Sequence, residues 1–147
     1  MMEKLLISAC LLGVASRYDG KSIKKVSDEA LLLISEKYQL VPFCPEIYGG
    51  LPTPRNPSEK IVNEVFMNNG TCVTENYRKG AEEALRICRL LGISKALLKA
   101  KSPACGKGLI YDGSFSGTLT EGNGICAELL LSEGIEVFTE NEIEKLI

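Results

Sequence analysis

Three cysteines are the residues of this sequence best suited to chemistry. Cys10, Cys44 and Cys105 each follow a short apolar segment and lie in loops that contain proline or glycine. Thiolates are soft ligands for zinc and for iron-sulfur clusters, and they are also nucleophiles. The shared placement of the three thiols therefore predicts a common site, which the fold would assemble from distant parts of the chain.

The rest of the composition narrows the chemistry that such a site could perform. The sequence has 147 residues and no histidine, which excludes Ser-His and Cys-His nucleophilic pairs and most catalytic zinc sites. Its six cysteines include no C-x-x-C pair, so zinc ribbons, thioredoxin-type pairs and ferredoxin-type loops are disfavoured. A proton carrier would have to be a carboxylate, a thiolate, a hydroxyl or an amine.

Charge and hydrophobicity indicate a single cytoplasmic domain, residues 1–147, without a duplex nucleic-acid or membrane partner. Seventeen Lys and Arg against 19 Asp and Glu give a net charge of −2, so no overall field attracts duplex nucleic acid. No segment approaches the roughly 18 apolar residues of a membrane helix, and the residues before Cys10 are too few for a secretory signal. In a reducing compartment, cysteines indicate metal binding or catalysis rather than disulfides.

Apolar segments alternate with helical patterns along the chain. We predict strands at residues 4–8, 38–43, 95–99 and 135–138, and helices at 28–36, 75–91, 124–133 and 140–146. This alternation predicts an α/β fold, a doubly wound, Rossmann-like, mostly parallel sheet with helices on both faces. The carboxyl ends of parallel strands meet at one edge, where ligands bind. We therefore expect Cys10, Cys44 and Cys105 to lie close together.

The other three cysteines are predicted to serve packing. Cys88 lies on the apolar face of a predicted helix, and Cys126 lies among leucine and isoleucine residues. Cys72 falls in a predicted hairpin, in which residues 62–67 and 71–73 flank the turn Asn68-Asn69-Gly70. We expect all three thiols to be ordinary core groups.

The residues alone leave the occupant of the three-cysteine site open. A zinc ion would need a fourth ligand, either Glu46 or water. A [4Fe-4S] cluster held by three cysteines would have one iron without a protein ligand, available to a substrate. Thiolate ligands suit both metals.

Three separated motifs resemble the small-protein family of 2-thiouracil desulfidases over nearly the whole chain. The motifs are Ser8-Ala-Cys10-Leu-Leu-Gly13 with Arg17-Tyr-Asp-Gly20, Cys44-Pro-Glu46 with Gly49-Gly-Leu-Pro-Thr-Pro-Arg55, and Ser102-Pro-Ala-Cys105-Gly106 with Tyr111-Asp-Gly-Ser-Phe-Ser-Gly117. The resemblance implies a [4Fe-4S] cluster on Cys10, Cys44 and Cys105, which air can destroy during purification. It also implies an active site in which Glu46 and Ser102 serve the chemistry.

The activity that the resemblance implies is a redox-neutral desulfuration. A thiolated pyrimidine, as a thiouracil base or a thiouridine nucleotide, would become the oxo compound and sulfide. Glu46 would activate water and later return a proton, and Ser102 would orient the substrate or bind its developing charge. The residues predicted to bind substrate are Arg17, Asp19, Arg55 and Lys101, and the cations among them could also offset the negative charge of a cluster.

Two other functions compete with this hypothesis. A zinc or iron-sulfur binding module would explain the thiols but not Glu46. A cysteine-dependent phosphatase would use Cys10 as the nucleophile and Arg17 for phosphate, but six residues separate them, a longer spacing than the phosphatase loop has. The phosphatase hypothesis also leaves Cys44 and Cys105 without a role.

Overall fold

The computed structural model describes residues 2–22 and 25–147. None of the helices in this part of the chain is long and apolar enough to span a membrane. Two 3-10 helices cover Ala9–Leu12 and Glu140–Lys145. The strands and α-helices are, in chain order, β1 (Glu3–Ser8), α1 (Asp28–Lys37), β2 (Tyr38–Phe43), α2 (Pro45–Tyr48), β3 (Ser58–Ile61), β4 (Glu64–Met67), α3 (Thr74–Leu91), β5 (Lys95–Leu98), β6 (Leu109–Tyr111), β7 (Leu119–Glu121), α4 (Ile125–Ser132) and β8 (Glu136–Thr139).

The central sheet is parallel and has the strand order β2-β1-β5-β8. From β1 the chain moves to one edge at β2, then crosses to the other side of β1 at β5 and continues to β8. This reversal creates a topological switch point between β1 and β5, whose carboxyl ends are the usual ligand site of such sheets. The predicted α/β fold and its four parallel strands are confirmed.

The apolar segment of β1 is explained by helices that cover both faces of the sheet. Leu6 packs in the core cluster on the side of α3 and α4. Leu5 and Ile7 point to the opposite face and pack in the cluster that contains Ile34 of α1. Because successive side chains of a strand alternate between faces, a strand that is covered on both sides is apolar throughout.

Helix α3 fixes the short helix α2, which follows Cys44. A Cβ atom on Gly80 would lie 1.9 Å from the carbonyl oxygen of Pro45, so only glycine permits the observed contact. Asn76 of α3 also donates a hydrogen bond of 2.9 Å from Nδ2 to the carbonyl oxygen of Gly49. The segment that carries Cys44 is therefore clamped against a long, well-packed helix.

The predicted hairpin around Asn68-Asn69-Gly70 forms only as a short pairing. The N–H of Met67 donates to the carbonyl oxygen of Thr71 at 2.8 Å, the N–H of Val73 donates to that of Val65 at 2.9 Å, and Phe66 and Cys72 form a single bridge. The strand that pairs with β4 over its whole length is β3, which was not predicted. Helix α3 begins at Thr74, which leaves too few residues for a second strand.

Three further differences concern packing and local structure. Cys72 is exposed, contrary to the expectation of core packing, whereas Cys88 and Cys126 are buried as predicted. The predicted closing helix is a 3-10 helix, Glu140–Lys145. The pair β6 and β7 and the helix α2 were not predicted, because each is only three or four residues long.

Candidate active site

A cavity of about 390 Å³ lies at the carboxyl ends of β1, β2 and β5, and Cys10, Cys44 and Cys105 all line it. Cys10 lies in the 3-10 helix that follows β1, and Cys44 lies directly after β2. Cys105 lies in the loop that follows β5. The fold thus brings three cysteines that are distant in sequence to one cavity, at the edge that the strand pattern predicted.

Cys105 is the most enclosed of the three thiols and has two hydroxyl neighbours. It is 5% exposed, and Ser8 donates a hydrogen bond of 3.6 Å from Oγ to its Sγ. The backbone N–H of Cys105 donates to Oγ of Ser102 at 2.7 Å. Burial raises the pKa of the Cys105 thiol well above its usual value, and the neighbouring Cys126 adds to this rise.

Cys10 and Cys44 are half-buried and face charged groups. Burial raises the pKa of Cys10 to about 11, and the nearby Cys44 adds to this rise, while Lys99 and Arg17 act against it. The thiol of Cys44 lies 3.9 Å from the carbonyl oxygen of Ser16. A bound metal would have to replace protons on these sulfurs, and the two cations would offset the negative charge that results.

A buried arginine holds Glu46 at the wall of the same cavity. Nε of Arg55 donates to Oε1 of Glu46 at 3.0 Å, and the arginine side chain is 2% exposed. The remaining guanidinium donors reach the carbonyl oxygens of Ser16 and Pro52 and the hydroxyl of Thr53, at 3.0 to 3.1 Å. All three guanidinium nitrogens of Arg55 thus donate hydrogen bonds within the protein, and the arginine orients the carboxylate two residues after Cys44.

Tyr77 of α3 is a cavity residue that was not predicted. It is 1% exposed, and its ring extends from the helix that supports α2 to the cavity wall. Burial and the nearby carboxylate of Glu46 raise the pKa of Tyr77 far above its usual value, so its hydroxyl stays protonated. The apolar pattern of α3 does not reveal that Tyr77 lines a cavity, because a buried tyrosine is an ordinary core residue.

The sequence matches the model of the 2-thiouracil desulfurase family over residues 5–142. This chain belongs to that family. It is 38% identical to the uncharacterized protein YbbK of Bacillus subtilis (strain 168) over 153 residues, an alignment that covers 97% of this chain and 99% of the relative. A solved structure described as the [4Fe-4S]-dependent thiouracil desulfidase TudS is 46% identical, with a TM-score of 0.92, over 98% of this chain and 95% of that one.

In this member of the family, the predicted site residues do not all line the same cavity. The cysteine cavity is lined by Cys10, Cys44, Cys105, Glu46, Ser102, Arg17 and Arg55. Asp19 lies behind Arg17, with Oδ2 3.8 Å from Nη2 of that arginine. Lys101 has a left-handed backbone with φ of 71° and lines a second, separate depression of about 480 Å³.

The chemistry of the donor set fits an iron-sulfur cluster of this desulfurase family. Three free thiols line one cavity, and none of the other three cysteines lines it. Within residues 2–22 and 25–147, no three Cys, Asp or Glu side chains converge as ligands of a single metal ion. Glu46, the fourth zinc ligand that the sequence left open, is paired with Arg55 instead. A cluster is larger than one ion, so its ligands surround it at greater separations.

Proposed function

We propose that this protein removes sulfur from a thiolated pyrimidine at a [4Fe-4S] cluster, without net oxidation or reduction. Water replaces the thiocarbonyl sulfur, so that C=S and H₂O become C=O and hydrogen sulfide. The observation that carries the proposal is the convergence of three strand-end thiols and an arginine-held carboxylate on one cavity. Membership of the desulfurase family and the 46% identity to TudS support it.

Cys10, Cys44 and Cys105 are the residues that would hold the cluster. When it is bound by only three protein thiolates, a [4Fe-4S] cluster supplies a Lewis-acidic iron that accepts a sulfur ligand. The side chains of Arg17 and Lys99 stand at the same cavity and offset the charge of the thiolates. Both the sulfur donors and their counter-charges therefore come from the loops at one edge of the sheet.

Glu46 is the proton carrier of the proposed reaction. Its carboxylate is 17% exposed and lines the cavity, so it can take a proton from the attacking water and return one to the leaving sulfur or the ring. Arg55 keeps the carboxylate in place throughout, because its guanidinium is fixed by the backbone of two loops. With no histidine in the sequence, a positioned carboxylate is the natural general base.

Ser102 is placed to bind the substrate. Its oxygen accepts the N–H of Cys105, which leaves the hydroxyl proton available for a substrate atom. A donor fixed before the reaction stabilises charge that develops on a ring oxygen or nitrogen. Ser102 thus joins the ligand loop of Cys105 to the substrate space.

The substrate is a small thiolated base or its nucleotide. Arg17 lines the cavity with a side chain that is 22% exposed, whereas Lys99, at 24%, is held by Glu140 at 2.8 Å, so Arg17 is the cation proposed to bind a nucleotide phosphate. The six free cysteines are consistent with a cytoplasmic protein. We treat residues 1–147 as one functional domain.

Anaerobic reconstitution with iron and sulfide, followed by incubation with 2-thiouracil or 4-thiouridine monophosphate, tests the proposal. We expect release of uracil or uridine monophosphate together with an equal amount of sulfide. A reconstituted protein that binds iron but releases no sulfide from either substrate would instead be a metal-binding module. Hydrolysis of p-nitrophenyl phosphate by metal-free protein would favour the phosphatase.

A further inference from the structure

A buried hydroxyl connects the two central strands to the innermost thiol. Ser8 is the last residue of β1 and is 2% exposed. Its Oγ accepts the backbone N–H of Lys99 at 3.0 Å and donates to Sγ of Cys105 at 3.6 Å. Lys99 directly follows β5, so the serine lies at the switch point of the sheet.

The N–H of Lys99 leaves the hydroxyl proton of Ser8 free for the second hydrogen bond. A serine hydroxyl has one proton and two lone pairs, and the backbone donor occupies one of the lone pairs. A cysteine sulfur that binds a metal has no proton and can only accept, so in that state the serine is the donor to Cys105. The end of β1 then presents a hydrogen-bond donor to a sulfur atom inside the cavity.

A serine at this position is not explained by packing. The three residues before it, Leu5, Leu6 and Ile7, are fully buried and apolar, and a hydroxyl in such surroundings costs free energy unless its hydrogen bonds are made. An alanine would fill the space at the end of β1 without burying a hydroxyl, although it would leave the N–H of Lys99 without its side-chain acceptor. Of the two hydrogen bonds that Ser8 Oγ makes, the one with the backbone of Lys99 serves the junction of β1 and β5, and only the one with the sulfur of Cys105 has no such structural purpose.

We propose that Ser8 is a positioning residue of the cluster site, which donates a hydrogen bond to the cluster-ligating sulfur of Cys105. This inference rests on the proposed function. A donor to a ligand sulfur withdraws electron density from it and stabilises the reduced, more negative state of a cluster. In the metal-free protein the same bond acts against the rise that burial causes in the pKa of Cys105.

The test compares Ser8→Ala with Ser8→Thr in anaerobically reconstituted protein. In Ser8→Ala we expect the equilibrium constant for one-electron reduction to fall about tenfold, which is a shift of about 59 mV to lower potential. Ser8→Thr keeps the hydroxyl and is expected to restore the wild-type potential. Ser35→Ala removes an exposed serine of α1, far from the cavity, and serves as the matched control.

The readouts separate this inference from the proposed function. The potential and the iron content are measured whether or not the protein turns over a thiopyrimidine. An unchanged potential in Ser8→Ala with full iron content would overturn the inference, even if wild-type protein is an active desulfidase. If Ser8→Ala loses the cluster, two results together support the inference. The metal-free wild type and the metal-free Ser8→Ala variant melt at the same temperature, and Ser8→Thr retains the cluster. Unfolding of both variants would show that Ser8 serves only the fold, and would overturn it.

Discussion

The two walls of the cavity are built differently. The inner wall, Ser8, Ser102 and Cys105, comes from the ends of the two central strands, and hydroxyl and N–H groups satisfy each other there. It contains no charged side chain, and its thiol is almost fully enclosed. Such a wall fixes a sulfur atom in position and shields it from water.

The outer wall is charged and more open. It consists of Cys10, Cys44, Glu46 and Arg55, whose elements follow β1 and the edge strand β2. Both thiols are half-buried, and the carboxylate is 17% exposed. Proton transfer needs a carboxylate with access to water, so the outer wall suits the chemistry, and it also supplies two of the three proposed cluster ligands. The inner wall supplies the third ligand and no proton carrier. Loss of the carboxylate and loss of the inner thiol should therefore give different defects.

The largest expected effect is that of Cys105→Ser, which removes the proposed cluster ligand of the inner wall. We expect loss of both the cluster and all turnover, because hydroxyl is a poor ligand for iron-sulfur iron and the neighbouring thiol of Cys126 does not line the cavity. Iron and sulfide content after reconstitution, with the cluster absorbance, measures the effect. Cys72→Ser changes an exposed thiol outside the cavity and should retain both. Full iron content in Cys105→Ser would contradict the assignment of the ligands.

The next largest effect is expected from Glu46→Gln in the outer wall. The amide still accepts the hydrogen bond from Arg55, so the cluster and the fold should be retained. Turnover should fall by about 10²- to 10⁴-fold, because the general base is lost. Steady-state release of sulfide from 2-thiouracil, at equal cluster content, measures this fall. Glu82→Gln, an exposed change on α3, is the control, and equal rates in both variants would remove Glu46 from the mechanism.

The difference between the walls also explains what the sequence could predict. Part of the outer wall depends on residues that are neighbours in sequence: Glu46 lies two residues after Cys44, which is the N-cap of α2. The four strands could be predicted because apolar segments of their length are local signals. Because each of the three cysteines follows one of these strands, their closeness in the fold could be predicted as well.

The inner wall depends on a contact that no local pattern encodes. Ser8 and Cys105 are 97 residues apart in sequence, and a serine that ends an apolar strand looks like an ordinary loop residue. Lys101 was expected at the substrate, but its left-handed backbone directs it to another depression. Side-chain directions of this kind depend on the tertiary packing, which strand and helix patterns do not specify.

A smaller effect is expected from Ser102→Ala, which changes the inner-wall residue that is proposed to contact the substrate. Loss of the hydroxyl leaves the buried N–H of Cys105 without its acceptor, at a cost of about 1 kcal/mol in stability. The cluster should be retained, and turnover should fall by roughly tenfold to a hundredfold through loss of a hydrogen bond to the substrate. Parallel measurements of iron content and of kcat and KM distinguish the two consequences. A wild-type kcat in this variant would limit Ser102 to a structural role.

The smallest expected effect lies behind the inner wall, where Glu142 pairs with Lys107, two residues after Cys105. Nζ of Lys107 lies 3.1 Å from Oε1 of Glu142, and Lys145 lies 3.0 Å from its Oε2. Partial burial opposes the charge of Glu142, but hydrogen bonds from Lys145 and Lys107 outweigh it and lower the pKa of the carboxyl below 4.5.

A lowered pKa in the folded state gives stability that is present above the pKa of the unfolded chain and is lost as the pH falls through the folded value. Glu142→Gln removes the charge but keeps the capping interaction with the backbone N–H of Thr139, which glutamine also supports. At neutral pH we expect the variant to be less stable than the wild type by about 0.5 to 1 kcal/mol. Urea unfolding of the metal-free proteins from about pH 3 to about pH 7 should show this difference begin to shrink near pH 4.5, the ordinary pKa of the carboxyl, and disappear as the pH falls through the lowered pKa of the folded state. Glu144→Gln removes an exposed charge from the same helix, so a loss of equal size in that variant would mean that net charge, and not the tether to the Cys105 loop, accounts for the effect.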